Sequence, residues 1–134
     1  MNHLVPRLVA AVALALTSAA PADAREPGCD YLEPFTPFDV AGGDNPVTTP
    51  NGRVVELRAS NRTRCAWGRL SDGKPGEEIW TDRKNLDGSG YRGFLGYTRI
   101  QSGNGAHTEA FDNDARLMRA CGSSEGRIEC TGWF

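Results

Sequence analysis

Histidine is scarce in this sequence of 134 residues, which limits the catalytic centres that it could build. The two histidines are His3 and His107. A Ser-His-Asp centre would have to form around His107 alone, because His3 lies in an N-terminal segment that we expect to be removed. Neighbouring carboxylates such as Asp112 and Asp114 occur in turn-like sequence, where acidic residues make local hydrogen bonds. We therefore predict that the protein is not an enzyme and needs no cofactor.

The net charge of the sequence is also small. Fifteen basic and seventeen acidic residues give a formal net charge of −2. Proteins that bind nucleic acids or anionic lipid usually carry a marked positive surplus. We therefore expect neither nucleic acid nor a membrane surface among the partners.

Long apolar runs are missing except at the N-terminus. Arg7 precedes a run of small and apolar residues from Leu8 to Thr17, and Ala22-Asp23-Ala24 fits the small-x-small pattern of a signal-peptidase site. The run is about half as long as a membrane-spanning helix requires. We predict that residues 1–24 are a signal peptide and that the secreted chain forms one domain.

Four cysteines, Cys29, Cys65, Cys121 and Cys130, follow the predicted cleavage site. An even number in a small secreted chain predicts two disulfides. A zinc site is the weaker alternative, because no CxxC motif occurs and His107 is the one histidine left, so we predict no metal. Of the three possible pairings we favour Cys121–Cys130, which flank a Gly-rich turn between strand-like segments. Cys29–Cys65 then follows by exclusion.

Residues 25–51 differ in composition from the rest of the chain. They contain five prolines, and five acidic residues against the single base Arg25. Proline disfavours helix and central strand, so we predict an extended N-terminal arm. Four apolar side chains are unusual for a disordered linker: Tyr31, Leu32, Phe35 and Phe38. We predict that they bind a partner protein. The alternative is that the arm packs on its own domain.

Short strand-like segments separated by Gly-rich turns fill residues 52–134. About seven such segments at regular spacing predict an all-β fold, a small antiparallel sandwich or barrel. The alternation of apolar and polar residues predicts a core formed by Val55, Leu57, Trp67, Ile79, Phe94, Ile100, Phe111, Leu117, Ala120 and Ile128.

Large aromatic residues leave two further possibilities open. Tyr91 and Tyr97, with a tryptophan, could stack on a sugar. The C-terminal pair Trp133-Phe134 is either tucked into the core or presented to a partner.

Two stretches of the sequence resemble a family of small secreted actinobacterial proteins of unknown function. The first runs from Val55-Glu56-Leu57-Arg58-Ala59-Ser60 to Cys65-Ala66-Trp67-Gly68-Arg69. The second joins Arg119-Ala120-Cys121-Gly122 to Cys130-Thr131-Gly132-Trp133. The resemblance implies a disulfide-tied extracellular β-domain without accepted catalytic residues. The layout is also similar to the adaptor subunit of secreted umbrella toxin particles, in which a small protein with an extended N-terminal segment links larger components.

These observations favour a non-catalytic, secreted interaction module that docks through its arm. Such a module would be an adaptor or structural subunit of an extracellular complex, and the similarity of layout implies that this complex is a toxin particle. The alternatives are a small secreted protease inhibitor and a carbohydrate-binding module.

Overall fold

The strands of this protein lie in two antiparallel sheets, as its computed structural model shows. The model describes residues 28–34, 40–41, 47–48, 51–60 and 62–134. The predicted signal peptide, together with Phe35 and Phe38 of the arm, lies outside the described residues. Every regular element in these ranges is a strand, which confirms the predicted all-β class. The same ranges include no helix of the length and apolarity needed to cross a bilayer.

The described residues form ten strands, six of which have four or more residues. They are β1 (Val40–Ala41), β2 (Val47–Thr48), β3 (Val54–Ser60), β4 (Cys65–Ser71), β5 (Glu78–Asn85), β6 (Arg92–Arg99), β7 (Ala106–His107), β8 (Phe111–Asp112), β9 (Arg116–Ser124) and β10 (Arg127–Cys130).

The first sheet is built around the hairpin of β3 and β4. The short strands β1 and β2 pair with β3, and β7 and β8 pair with β4. The second sheet has the order β10-β9-β5-β6. The arm therefore contributes two edge strands to the first sheet, which agrees with the expectation that its prolines exclude a central strand.

The core lies between the two sheets and follows the period-2 alternation of the strands. Along β3, the side chains of Val55, Leu57 and Ala59 are buried, while those between them are only partly buried. The core cluster between the sheets also contains Leu70, Ile79 and the fully buried Phe111. Seven of the ten predicted core residues are buried: Val55, Leu57, Trp67, Ile79, Ile100, Phe111 and Ala120.

Three predicted core residues are not buried, and for them the prediction was wrong. Phe94 is 63% exposed, Ile128 is 61% exposed, and Leu117 is only partly buried. The pairing of β5 with β6 contains register shifts between Ile79 and Arg83. Such irregularities break simple alternation, so Leu95 is buried in place of Phe94. Ile128 lies on a strand whose outward face meets solvent.

Both predicted disulfides are confirmed. Cys29 is bonded to Cys65, and Cys121 is bonded to Cys130 across the hairpin of β9 and β10. The first bridge closes a sequence separation of 36 residues. Restricting the unfolded chain in this way contributes about 3–4 kcal/mol in the chain-entropy description.

Gly122 of β9 lies close against Val55 of the facing sheet. A Cβ atom at this position would lie 2.6 Å from Cγ2 of Val55 and 3.2 Å from the carbonyl oxygen of Glu78. We predict that Gly122→Ala lowers the free energy of unfolding by about 1–3 kcal/mol, because overpacking forces neighbouring groups apart. Urea denaturation measures this effect.

Gly68→Ala on β4 is the matched control for this substitution. Its Cβ would meet only side-chain atoms, the nearest at 3.3 Å, so a smaller loss of stability is expected. Equal losses for the two variants would contradict the close approach at Gly122.

Candidate binding surfaces

The first part of the arm is fixed to the β-domain by backbone bonds as well as by a disulfide. Cys29 is bonded to Cys65 at the start of β4. The Tyr31 N–H donates to the carbonyl of Ala110 at 2.9 Å, and the Ala110 N–H donates to the carbonyl of Leu32 at 2.8 Å. Residues 29–32 therefore hold a defined position beside β8.

A buried guanidinium adds an ionic contact to this attachment. Arg83 donates from Nη1 to Oδ1 of Asp30 at 2.9 Å and from Nη2 to Oδ2 at 3.2 Å. Arg83 also donates to the carbonyl of Asp112, whose own N–H donates to Asp30. Burial by itself would raise the pKa of Asp30, but these hydrogen bonds and the charge of Arg83 outweigh it and lower the pKa.

Two of the four predicted partner-binding residues lie within the described ranges. Tyr31 is 59% exposed and Leu32 is 55% exposed, although their backbone is fixed. The Tyr31 ring meets the buried ring of Phe111 edge-on at 5.0 Å between centroids. Tyr31 and Leu32 therefore stand together at the surface, which is compatible with their predicted role. Phe35 and Phe38 follow directly in the sequence but lie outside the described residues.

A cavity of about 230 Å³ lies between this part of the arm and β4. Its floor is a small apolar cluster of Cys29, Trp67 and Ala110, separate from the main core, with Cys65 packed against it. Trp67 therefore lies beside the Cys29–Cys65 disulfide. Leu32 and Pro34 of the arm form part of the rim.

A second surface lies on the outward side of the second sheet, and we call it the aromatic face. It is formed by Trp80, Tyr91, Phe94, Tyr97 and Trp133. The Phe94 ring stacks on the buried Trp80 ring at 4.9 Å and 26°, and Tyr97 lies 6.3 Å from Trp80. Tyr91 meets Trp133 edge-on at 6.3 Å. Three of these five residues are more than 40% exposed: Tyr91, Phe94 and Tyr97.

The backbone of Phe94 is held in an unfavourable conformation. Its φ is +58°, in the left-handed region that a bulky residue rarely adopts. The Phe94 N–H donates to Oδ1 of the buried Asp82 at 3.2 Å, and Arg119 donates to Oδ2 at 2.9 Å. Asp82 thus anchors the strand at the point where the Phe94 ring turns outward.

Cations surround the aromatic rings. Nζ of Lys84 lies 4.1 Å from the Trp133 ring centroid, and the Arg119 guanidinium lies 4.6 Å from it. Arg99 donates to the Tyr97 hydroxyl at 2.9 Å and pairs with Glu78 at 3.2 Å. The bond to Tyr97 is the main reason that the pKa of Arg99 is raised. These contacts orient the rings and leave Tyr97 at a polar rim.

The C-terminal aromatic pair is held by the backbone rather than by the core. Met118 and Phe134 exchange two backbone hydrogen bonds of 2.9 Å. Trp133 is partly buried under its cations, and Phe134 remains 38% exposed. The sequence left open whether this pair lies in the core or faces a partner. The pair is attached along β9, only partly covered, and its Trp133 forms part of the aromatic face.

Among the described residues, no nucleophilic side chain is bonded to His107. Nδ1 of His107 lies 3.2 Å from the carbonyl oxygen of Thr108, and no serine hydroxyl among those residues is bonded to the ring. One G-x-S-x-G match does occur in the chain, at 122–126. Its Ser124 is 2% exposed in a β-hairpin and accepts a bond from Asn51, whereas a nucleophile elbow exposes the serine between a strand and a helix.

One cluster of potential metal-ligating atoms is present in the described part of the chain. It comprises Asp82, Cys121 and Cys130, whose ligand atoms lie within 4.8 Å of one another. The two sulfurs are bonded to each other, so neither offers the thiolate that a zinc ion requires. The cluster is therefore a carboxylate, that of Asp82, lying beside the Cys121–Cys130 disulfide.

The contact between Asp30 and Arg83 predicts a pH-dependent stability. Because the folded-state pKa of Asp30 lies below its ordinary value of 3.8, the contact stabilises the fold above that value. The stabilisation is lost as the pH falls through the folded-state pKa. Asp30→Asn should therefore cost about 1–2 kcal/mol at pH ~7, after allowance for the partial exposure of Asp30, and less at pH ~2.

Urea denaturation of the wild type and of Asp30→Asn at the two pH values measures this difference. Asp114→Asn, a change at an exposed acid in a turn, is the control and should leave the stability nearly unchanged at both. A cost for Asp30→Asn that is independent of pH would contradict the ionic contact.

Comparison with known proteins gave no relative from which a function could be transferred. No protein-family model, no curated protein and no solved structure matches the chain significantly. The function is therefore inferred from the two exposed surfaces, the arm residues Tyr31 and Leu32 and the aromatic face.

Proposed function

We propose that this protein is a non-catalytic, secreted interaction module that acts as an adaptor or structural subunit in an extracellular protein complex. The observation that carries the proposal is Phe94. This residue is 63% exposed and has a φ of +58°. One side of its ring rests on Trp80 and the rest meets solvent.

The cost of this arrangement supports a role in binding. A non-glycine residue in a sparsely populated backbone region costs about 1–3 kcal/mol, and such residues cluster at functional sites. Exposing a phenylalanine ring to water is a second cost, which a partner that covers the ring would remove. Tyrosine, tryptophan and arginine are enriched among the residues that dominate protein interfaces. Tyr97 lies beside the Phe94 ring, and Arg99 lies over the Tyr97 ring. Trp133 lies beside Tyr91 in the same aromatic face.

The angles between the rings favour a protein partner over a sugar chain. A row of sugar rings stacks best on aromatic side chains that share one plane. The Phe94 and Tyr97 rings are inclined by 56°, and the Tyr91 and Trp133 rings by 75°. Protein side chains can fill such an uneven surface, so the carbohydrate-binding alternative has less support.

The arm supplies a second exposed surface, which an adaptor requires. Tyr31 and Leu32 lie beside β8 in the first sheet, whereas the aromatic face belongs to the second sheet. The similarity of layout to the adaptor of umbrella toxin particles supports the same arrangement. Two disulfides and the signal-like sequence of residues 1–24 support an extracellular location.

Removing the Phe94 ring tests the aromatic face without straining the backbone. Glycine adopts positive φ readily, so in Phe94→Gly the relief of strain offsets much of the lost ring stacking. We expect a melting temperature within a few degrees of the wild type. We expect affinity for the partner to fall about 30-fold or more, as for a central aromatic contact.

Capture from culture supernatant followed by a titration with the captured protein measures this effect. Leu86→Ala removes an apolar side chain of equal exposure, 62%, from the turn between β5 and β6, and should leave capture unchanged. Equal capture by Phe94→Gly and wild type would show that the aromatic face does not bind.

The arm is tested by replacing Phe35 and Phe38 together with alanine. If the arm docks on a partner, the melting temperature stays near that of the wild type and binding weakens by about 2–4 kcal/mol. If these rings pack on their own domain, the stability falls by about that amount and binding is kept. Thermal unfolding and capture, measured on the same variant, separate the two outcomes.

A further inference from the structure

We propose that the cavity between the arm and β4 is a binding site for a small aromatic molecule that carries a hydrogen-bond donor, such as a phenol or an aromatic amine. This site is independent of the aromatic face and of the proposed adaptor function. It rests on the lining of the cavity, on the contacts that fix its walls and on Glu33, the charged residue among the described residues that line it.

Most of the described residues that line the cavity are apolar, and the polar side chains among them are those of Glu33 and Thr63. Cys29, Trp67 and Ala110 form the floor, each less than 9% exposed, and Leu32 and Pro34 lie at the rim. An aromatic ring that packs against this apolar surface removes it from contact with water, which favours binding. The indole of Trp67 offers a flat surface on which an aromatic ring can pack.

The walls are fixed, so the cavity is not closed by a small shift of the arm. The Cys29–Cys65 disulfide joins one wall to the other. The two backbone bonds with Ala110 and the bidentate contact of Asp30 with Arg83 hold the arm segment from Asp30 to Leu32. A preformed site loses little entropy when it binds a guest.

The size of the cavity indicates a single ring. An apolar cavity of about 150 Å³ is sufficient for benzene. The cavity here measures about 230 Å³, which leaves room for a ring with one or two small substituents. A drug-sized ligand or a fused polycyclic molecule would need more space.

Glu33 sets the preferred chemistry of the guest. It carries the only charged side chain among the described residues that line the cavity. A carboxylate accepts hydrogen bonds and repels other anions. A ring with a hydroxyl or amino group can bury its apolar part against Trp67 and donate to Glu33. An aromatic acid of the same size is disfavoured.

The test is a titration of the full secreted chain with p-cresol, toluene and benzoate, monitored by the NMR signals of the Trp67 indole and the Ala110 amide. We expect p-cresol to bind about tenfold more tightly than toluene, and benzoate not to bind. Binding of benzoate as tight as that of p-cresol would overturn the proposal. So would an absence of p-cresol binding, or changes confined to residues outside the cavity.

Two variants separate the apolar and the polar parts of the site. Ala110→Leu fills the cavity and should abolish binding of both p-cresol and toluene. Glu33→Ala, a change at an exposed residue, should leave toluene affinity unchanged and remove the tenfold preference for p-cresol. Glu125→Ala in the hairpin of β9 and β10 is the matched control and should keep that preference.

The proposal can still be tested if one of the two variants fails to fold. Should Ala110→Leu be unstable, Glu33→Ala still tests the site, because its side chain is at the surface. An unchanged preference for p-cresol in folded Glu33→Ala overturns the proposed donor chemistry. Undiminished binding in folded Ala110→Leu overturns the site itself.

Discussion

The buried guanidinium of Arg83 is the constraint on which the attachment of the arm depends. A buried charge without a partner is costly, so a structure that encloses Arg83 must bring an acceptor to it. Asp30 supplies both oxygens, and the carbonyl of Asp112 supplies a third acceptor. Asp30 follows Cys29 directly, so the charge and the disulfide fix the same short segment. The exposure of Tyr31 and the walls of the cavity are consequences of that double attachment.

Asp82 has the corresponding role on the other side of the second sheet. Its buried carboxylate is shared by the Phe94 N–H and by Arg119, and lies beside the sulfur of Cys121. These contacts compensate the unfavourable backbone of Phe94 and hold its ring over Trp80. Polar contacts beneath the aromatic face therefore maintain the position of Phe94, its most exposed ring.

The sequence predicted the class of fold and the Cys121–Cys130 disulfide because these follow from local rules, and Cys29–Cys65 followed by exclusion. Alternation with period 2, Gly-rich turns and the hairpin spacing of Cys121 and Cys130 are read directly from the chain. The same alternation placed Phe94 and Ile128 in the core, where they are not. For Phe94, the irregular pairing of β5 with β6 changes which side chains face inward, and one sequence contains no signal for it. Likewise, nothing in the sequence joins Asp30 to Arg83, whose pairing exists only after the sheets have formed.

Strand β5 connects the two surfaces, and this bears on how an adaptor could work. Its side chains alternate, so Trp80, Asp82 and Lys84 serve the aromatic face while Thr81 and Arg83 point to the core and the arm. Pairing with β9 on one side and β6 on the other leaves β5 little freedom to move. A partner bound at Phe94 and another bound at Tyr31 would thus be held at a fixed separation and angle. In a structural subunit that rigidity is useful in itself, because it defines the geometry of the assembly without any conformational change.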